Sequence, residues 1–173
     1  MSLQAPLPLS LVIPALALSL AGCKHEPGTT PLDAELYQLA LNSSGHVWYK
    51  NSDELLPRST GSGHSEAFLR TRYNAIAATA LDTLYRVVAD TAFPPGSLIV
   101  KELWSDASTI GTYAILLKRP DAEAADADGW VWGYLRANGE VRAPAIDRGA
   151  ACRTCHMQDG EIDATLMNQY FPE

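Results

Sequence analysis

Hydrophobic and polar positions alternate along this chain with two different periods, and the change between them divides it. From Leu32 to Leu41 the apolar residues Leu32, Leu36 and Leu39 recur at helical spacing. Between Asn74 and Ala89, Ile76, Ala80, Leu84, Val87 and Val88 make one face of a second expected helix. Gly45 to Lys50 is short, aromatic and β-prone, and Ser59-Thr60-Gly61-Ser62-Gly63 reads as a flexible loop. After a turn at Pro94-Pro95-Gly96 the period shortens to two. Ser97 to Trp104, Thr112 to Arg119 and Trp130 to Arg136 are rich in β-branched and aromatic residues and bounded by Gly, Pro and Asp. Asn138-Gly139 is a hairpin signal leading into Glu140-Val141-Arg142. The pattern predicts an α+β domain: sequential antiparallel strands with helices packed on one face.

The first 22 residues stand outside this pattern. Leu11 to Leu20 is a nearly continuous apolar run ending in Leu20-Ala21-Gly22-Cys23. It is shorter than the roughly 20 apolar residues of a membrane-spanning helix and contains Pro14. The run resembles the bacterial lipobox, in which cleavage before the cysteine leaves it as the lipidated N-terminus. One departure is plain: no Lys or Arg precedes the apolar run. Residues 1–22 are therefore expected to be a lipoprotein signal peptide, with Cys23 the lipidated residue. Residues 23–31, polar and rich in breakers, read as a tether, and residues 32–173 as one folded domain. Lys24 after the cysteine points to an outer-membrane anchor on the periplasmic side.

A net charge of −7 without a basic patch argues against nucleic acid as a partner. The Ala/Asp-rich stretch from Asp121 to Asp128 reads as an exposed loop.

The chemistry stands near the C-terminus, where Cys152-Arg153-Thr154-Cys155-His156 forms a C-x-x-C-H pentapeptide. Two thiols at this spacing add across the vinyl groups of one haem, and the adjacent imidazole ligates its iron. A structural zinc site needs about four ligands, and no second Cys/His pair follows. A thioredoxin-like pair needs a βαβ setting, which is missing here. With Cys23 assigned to the lipid, Cys152 and Cys155 are the remaining cysteines of the three in the chain, and one haem c uses both.

Several segments now form an ordered set. Phe68-Leu69-Arg70-Thr71-Arg72-Tyr73 comes first, then Pro95-Gly96-Ser97-Leu98-Ile99-Val100-Lys101-Glu102-Leu103 and Trp130-Val131-Trp132-Gly133-Tyr134. Cys152 to His156, Asp163 and Tyr170-Phe171-Pro172 close it. In this order the chain resembles the cytochrome P-460 family, whose wider group includes the β-sheet cytochromes c-prime-beta. The resemblance implies a five-coordinate haem with His156 as its proximal ligand. It also implies a lysine cross-linked to the porphyrin, which falls on Lys101, and a distal arginine, which falls on Arg70. Read from the residues alone, Lys101 lies between apolar Ile99 and Leu103 on one strand face. There its amine either loses its charge by desolvation or reaches out to water or a carboxylate. Glu102 and Trp104 are expected on the opposite face.

The family's reaction is oxidation of hydroxylamine, with electrons passed to a partner cytochrome, and family analogy implies a homodimer. Family members that perform it well carry a carboxylate above the iron, and the aligned place here is Leu117. That departure favours the rival function, binding of nitric oxide without catalysis. A third reading is an electron carrier with a sixth protein ligand. Met157 follows the proximal histidine too closely to reach across the porphyrin, Met167 belongs to the closing apolar segment, and His25 lies in the tether. His46 and His64 remain candidates, with His64 expected to be a solvated loop residue.

Overall fold

Thr30 starts the described part of the fold: its hydroxyl accepts the Asp33 N–H at 3.1 Å, and the Asp33 carboxylate returns to the Thr30 N–H at 2.9 Å. This reciprocal cap, with Pro31 in the first turn, sets the start of helix α1, Pro31–Leu41. The cap is worth about 1 kcal/mol. The other Asp33 oxygen accepts the Ala145 N–H at 2.8 Å, which ties α1 to the far end of the chain. The computed structural model describes Met1 and residues 29–172. Cys23, His25 and the expected signal peptide lie outside the described residues. Among the described residues no helix is long and apolar enough to cross a membrane.

Seven strands form one antiparallel sheet. They are β1 (Val47–Trp48), β2 (Leu56–Pro57), β3 (Phe68–Tyr73), β4 (Leu98–Trp104), β5 (Ile110–Lys118), β6 (Trp130–Arg136) and β7 (Val141–Ala143). The order is β1-β3-β4-β5-β6-β7, with β2 also pairing with β3. From β3 onward this is a meander, as the strand signals predict. Gly139 has φ of +89° and the Asn138 side chain accepts the Glu140 N–H at 3.1 Å, so the Asn-Gly turn joins β6 to β7 as expected.

The α+β expectation holds, and the two sheet faces have different covers. On one, Leu36 and Ala40 of α1 pack on Val100, Ile115, Val131 and Leu135. There α1 comes so close to β6 that a Cβ on Gly133 would lie 3.0 Å from Leu36. The opposite face carries Ile99, Leu103, Leu116 and Trp132 and is covered by the C-terminal segment. This segment contains two one-turn helices, α2 (Arg153–His156) and α3 (Met167–Tyr170). Placement on one face therefore describes α1, while the short helical turns lie on the other side.

The second expected helix does not form. Residues Ala77–Ala80 make one 3-10 turn, after which Leu81 and Val87 pair as an isolated bridge. The Asp82 carboxylate accepts the N–H groups of Leu84 at 2.8 Å and Arg86 at 2.9 Å. Those contacts give the backbone an alternative to helical hydrogen bonds, and Tyr85 takes a φ of +57°. Ile76, Leu84 and Val88 are consequently exposed.

Candidate functional site

Strand register assembles the site. Thr71, Lys101, Ala114 and Tyr134 are aligned across β3, β4, β5 and β6, and the next row on the same face is Tyr73, Ile99, Leu116 and Trp132. The C-terminal segment arches over these rows and encloses a cavity of about 360 Å³. Lys101, Cys152, Cys155 and His156, four of the residues singled out from the sequence, all line it.

The C-x-x-C-H segment is held as one turn. Gly149 O accepts from the N–H groups of Cys152 at 2.8 Å and Arg153 at 2.9 Å, and Cys152 O accepts from those of Cys155 and His156 at 3.1 Å. Gly149 has φ of +69°, and a Cβ there would lie 2.6 Å from the Trp132 ring. Only glycine combines that backbone with that approach. Cys152 is half-buried and Cys155 exposed, and both are free thiols. Burial, then the neighbouring Cys155, pushes the Cys152 thiol up from its ordinary value.

His156 is oriented from behind. Its Nδ1 lies 2.7 Å from Ala164 O. A carbonyl only accepts, so Nδ1 carries the proton and Nε2 keeps its lone pair in the neutral ring. Burial, then the Lys101 charge, holds the imidazole down at about 4 against the opposing Ala164 contact, so it is neutral near pH 7. This is the form that ligates a metal. Asp163 and Ala164 both have positive φ, 44° and 67°, which turns the Ala164 carbonyl toward the ring. The Asp163 carboxylate fixes that turn by accepting from Lys118 Nζ at 2.8 and 2.9 Å, Trp130 Nε1 at 2.8 Å and Phe93 N–H at 2.7 Å.

Lys101 occupies the place its period predicts. Ile99 and Leu103 share its face, and burial pulls its amine down to about 8. A substantial neutral fraction near neutral pH makes it a nucleophile. Glu102 points the other way, as expected, accepting from Arg70 Nε at 2.6 Å and Arg72 Nε at 3.1 Å.

Two sequence expectations need correction. Arg70 alternates with Thr71, so it lies on the face away from the cavity. Its guanidinium is ion-paired with Glu102 and stacks between Trp48 at 4.4 Å and Trp104 at 4.9 Å. It has no path to a ligand in the cavity. Leu117 also lies on the far face, opposite Leu98 and Val131 and within the core under α1. The β5 residues whose side chains face the cavity are Ala114 and Leu116, so the substitution of apolar residues for an acid stands, two positions from where the sequence put it. Among the described residues lining the cavity none is Asp or Glu.

Other candidate ligands separate clearly. His46 lies 2.7 Å from Arg72 Nη1, outside the cavity. Met157 is exposed, and the Met167 sulfur accepts the Thr71 hydroxyl at 3.2 Å in the cavity wall. His64 is not a solvated loop residue. It lines the cavity, with its ring centre 5.8 Å from Tyr134 and 6.3 Å from His156.

Sequence reasoning also missed Asp126, in the stretch read as exposed loop. Its carboxylate accepts from Trp132 Nε1 at 2.8 Å and pairs with Arg153. No periodicity signals such a contact, because it joins two loops.

The wall suits a flat, largely apolar group. Tyr73 lines it fully buried and its hydroxyl has no hydrogen-bond partner, leaving a donor for a bound molecule. Two thiols, a neutral imidazole nitrogen and an apolar sheet face are the donor set of c-type haem. Among the described residues no group of three or more His, Cys, Asp or Glu is placed to hold a metal ion by itself. No protein-family model matches the chain, and no curated protein matches it.

Proposed function

We propose that this protein is a mono-haem c-type cytochrome of the P-460 kind. In this reading it binds hydroxylamine or nitric oxide at iron and oxidises hydroxylamine, passing electrons to a partner cytochrome. The observation that carries the reading is the presence of Lys101, Cys152, Cys155 and His156 around one cavity. Haem c, bound through both thiols, would supply an iron centre that binds nitrogen ligands and accepts electrons. His156 offers Nε2 to the metal while Ala164 holds its other nitrogen. Lys101 presents a partly neutral amine for a further cross-link, and Tyr73 a free hydroxyl. The proposal extends to the N-terminus: lipid attachment at Cys23 anchors the domain to the outer membrane, on the periplasmic side, where c-type haem is attached.

A second reading, nitric oxide binding without oxidation, is favoured by one observation: among the described residues lining the cavity none carries a carboxylate. Hydroxylamine oxidation releases protons and gains from a positioned acceptor, whereas a neutral diatomic gas needs none.

Intact mass and absorption spectra of protein matured in a c-type cytochrome-competent host test both levels. The expected result is haem retained after denaturation, a cross-linked peptide containing Lys101 and a strongly red-shifted ferrous Soret band. Lys101→Ala should keep the haem and lose the shift. Protein without covalent haem under those conditions overturns the reading. Haem-loaded protein that binds nitric oxide but does not turn over hydroxylamine selects the second.

A further inference from the structure

The resemblance assigns no role to His64, yet its ring sits closer to the proposed iron ligand than any feature of the sequence foretold. We propose that His64 is the protein's own sixth ligand, opposite His156, and that hydroxylamine or nitric oxide reaches the iron by displacing it. This rests on the haem reading of the cavity.

The argument is geometric. The two imidazoles have ring centres 6.3 Å apart and planes inclined at 73°. A metal–imidazole bond is about 2.0–2.1 Å, and the ring centre lies about 1 Å behind the bonding nitrogen. Two imidazoles on opposite sides of one ion therefore stand with centres roughly 6 Å apart, and two at a tetrahedral angle roughly 5 Å apart. The observed spacing fits the opposed arrangement. Both rings line the same cavity. Ala164 occupies Nδ1 of His156, and among the described residues the ring nitrogens of His64 have no hydrogen-bond partner.

The loop is built to hold that position and to release it. Arg58 Nη1 donates to the carbonyls of His64 at 3.2 Å and Ser65 at 3.3 Å, and the His64 N–H bonds Ser62 Oγ at 3.3 Å. Gly63 passes beside Cys155, so near that a Cβ would lie 3.8 Å from its sulfur. The loop thus lies along the C-x-x-C-H turn rather than out in solvent. Gly61 and Gly63 precede the histidine, and Gly61 already has φ of +89°. Backbone of that kind can swing a side chain away without disturbing the sheet. The rival ligands are accounted for, with Met157 exposed and Met167 engaged by Thr71.

Absorption and electron paramagnetic resonance spectra of the ferric holoprotein test the assignment, with wild type, His64→Ala and His64→Ala plus free imidazole compared. Wild type should be low-spin with the signature of two imidazoles. His64→Ala should be high-spin, and free imidazole should restore the low-spin state. Nitric oxide should bind wild type with a rate that saturates with concentration, limited by loss of His64. In the variant the rate should rise linearly, with apparent affinity higher by about ten-fold or more. A high-spin wild-type spectrum on a haem-loaded protein overturns the proposal without any variant and leaves the haem reading intact. A low-spin His64→Ala protein overturns it equally. A low-spin wild type that neither hydroxylamine nor nitric oxide converts overturns displacement in favour of a plain electron carrier. Absence of covalent haem by mass is the separate failure of the haem reading.

Discussion

Arg153, which stands between the two cysteines, is ion-paired with Asp126 of the loop before β6. That carboxylate also accepts from Trp132 Nε1, so one side chain links the C-x-x-C-H turn to the sheet beneath it. Burial raises the carboxyl pKa, but bonds from Trp132, the Trp130 N–H and Arg153 outweigh it and the net shift is downward. A carboxyl lowered in the folded state stabilises fully above its ordinary pKa, and that stability is lost as pH falls through the lower folded value. Asp126→Asn should therefore cost about 1–3 kcal/mol near pH 7. The gap between wild type and variant in urea midpoints should close below about pH 4. An unchanged gap at low pH would show that the carboxylate charge is not the source.

Asp163 is the partner of a buried cation as well as the anchor of the turn behind His156. Asp163→Ala leaves Lys118 charged and unpaired and should destabilise by about 3–5 kcal/mol. Adding Lys118→Met should recover most of that loss, a coupling that denaturant curves for the four proteins measure. If the two losses simply add, the pair is not what holds the turn.

Gly149→Ala meets two obstacles at one atom, a positive φ and the Trp132 ring at 2.6 Å. The strained backbone and the overpacking together should cost about 2–4 kcal/mol. Near-ultraviolet circular dichroism should report the displaced tryptophan. Wild-type stability in this variant would mean that the loop moves freely away from the sheet.

Lys101 gives a pH dependence of opposite slope in the haem-free chain. Its folded pKa, about 8, lies below the ordinary lysine value of 10.5, so the unfolded chain holds the proton more tightly. The penalty for burying the charge is complete below pH 8 and is relieved as pH rises toward 10.5. Lys101→Met should be more stable than wild type at pH 7 by an amount on the order of 3 kcal/mol. The advantage should vanish by pH 10.5, and a difference independent of pH would reject this account.

Arg70 supplies a control from the back of the sheet. Arg70→Ala should lower stability by about 1–3 kcal/mol, since Glu102 is nearly buried and loses a charge-assisted bond. It should leave the haem spectrum as it is. A shifted spectrum would restore Arg70 to the ligand side.

The parts of the fold written in short-range pattern were legible. Period-two runs marked β4, β5 and β6, Asn138-Gly139 marked the hairpin, and the alternation around Lys101 gave its facing correctly. Arg70 was misplaced because a motif match carries order along the chain but not sidedness. Thr71, one residue on, is the one that meets Lys101 across the strands. The lost helix after Asn74 shows the same limit, since Asp82 diverted a backbone whose apolar spacing was helical. His64 and Asp126 were unreadable for a further reason. Their roles come from loops brought together by the sheet, and loop composition looks the same whether the loop meets water or protein.

Strand β3 gives alternate residues to two unrelated tasks: Leu69, Thr71 and Tyr73 face the cavity, while Arg70 and Arg72 hold the ion-paired back. Single substitutions can retune either side while sparing the other. A one-residue insertion or deletion would instead exchange the two sets, driving guanidinium groups into the cavity and a tyrosine onto Glu102. Descendants of this chain are thus free to diversify their ligand chemistry by point mutation, but the length of this strand is an inheritance they cannot edit.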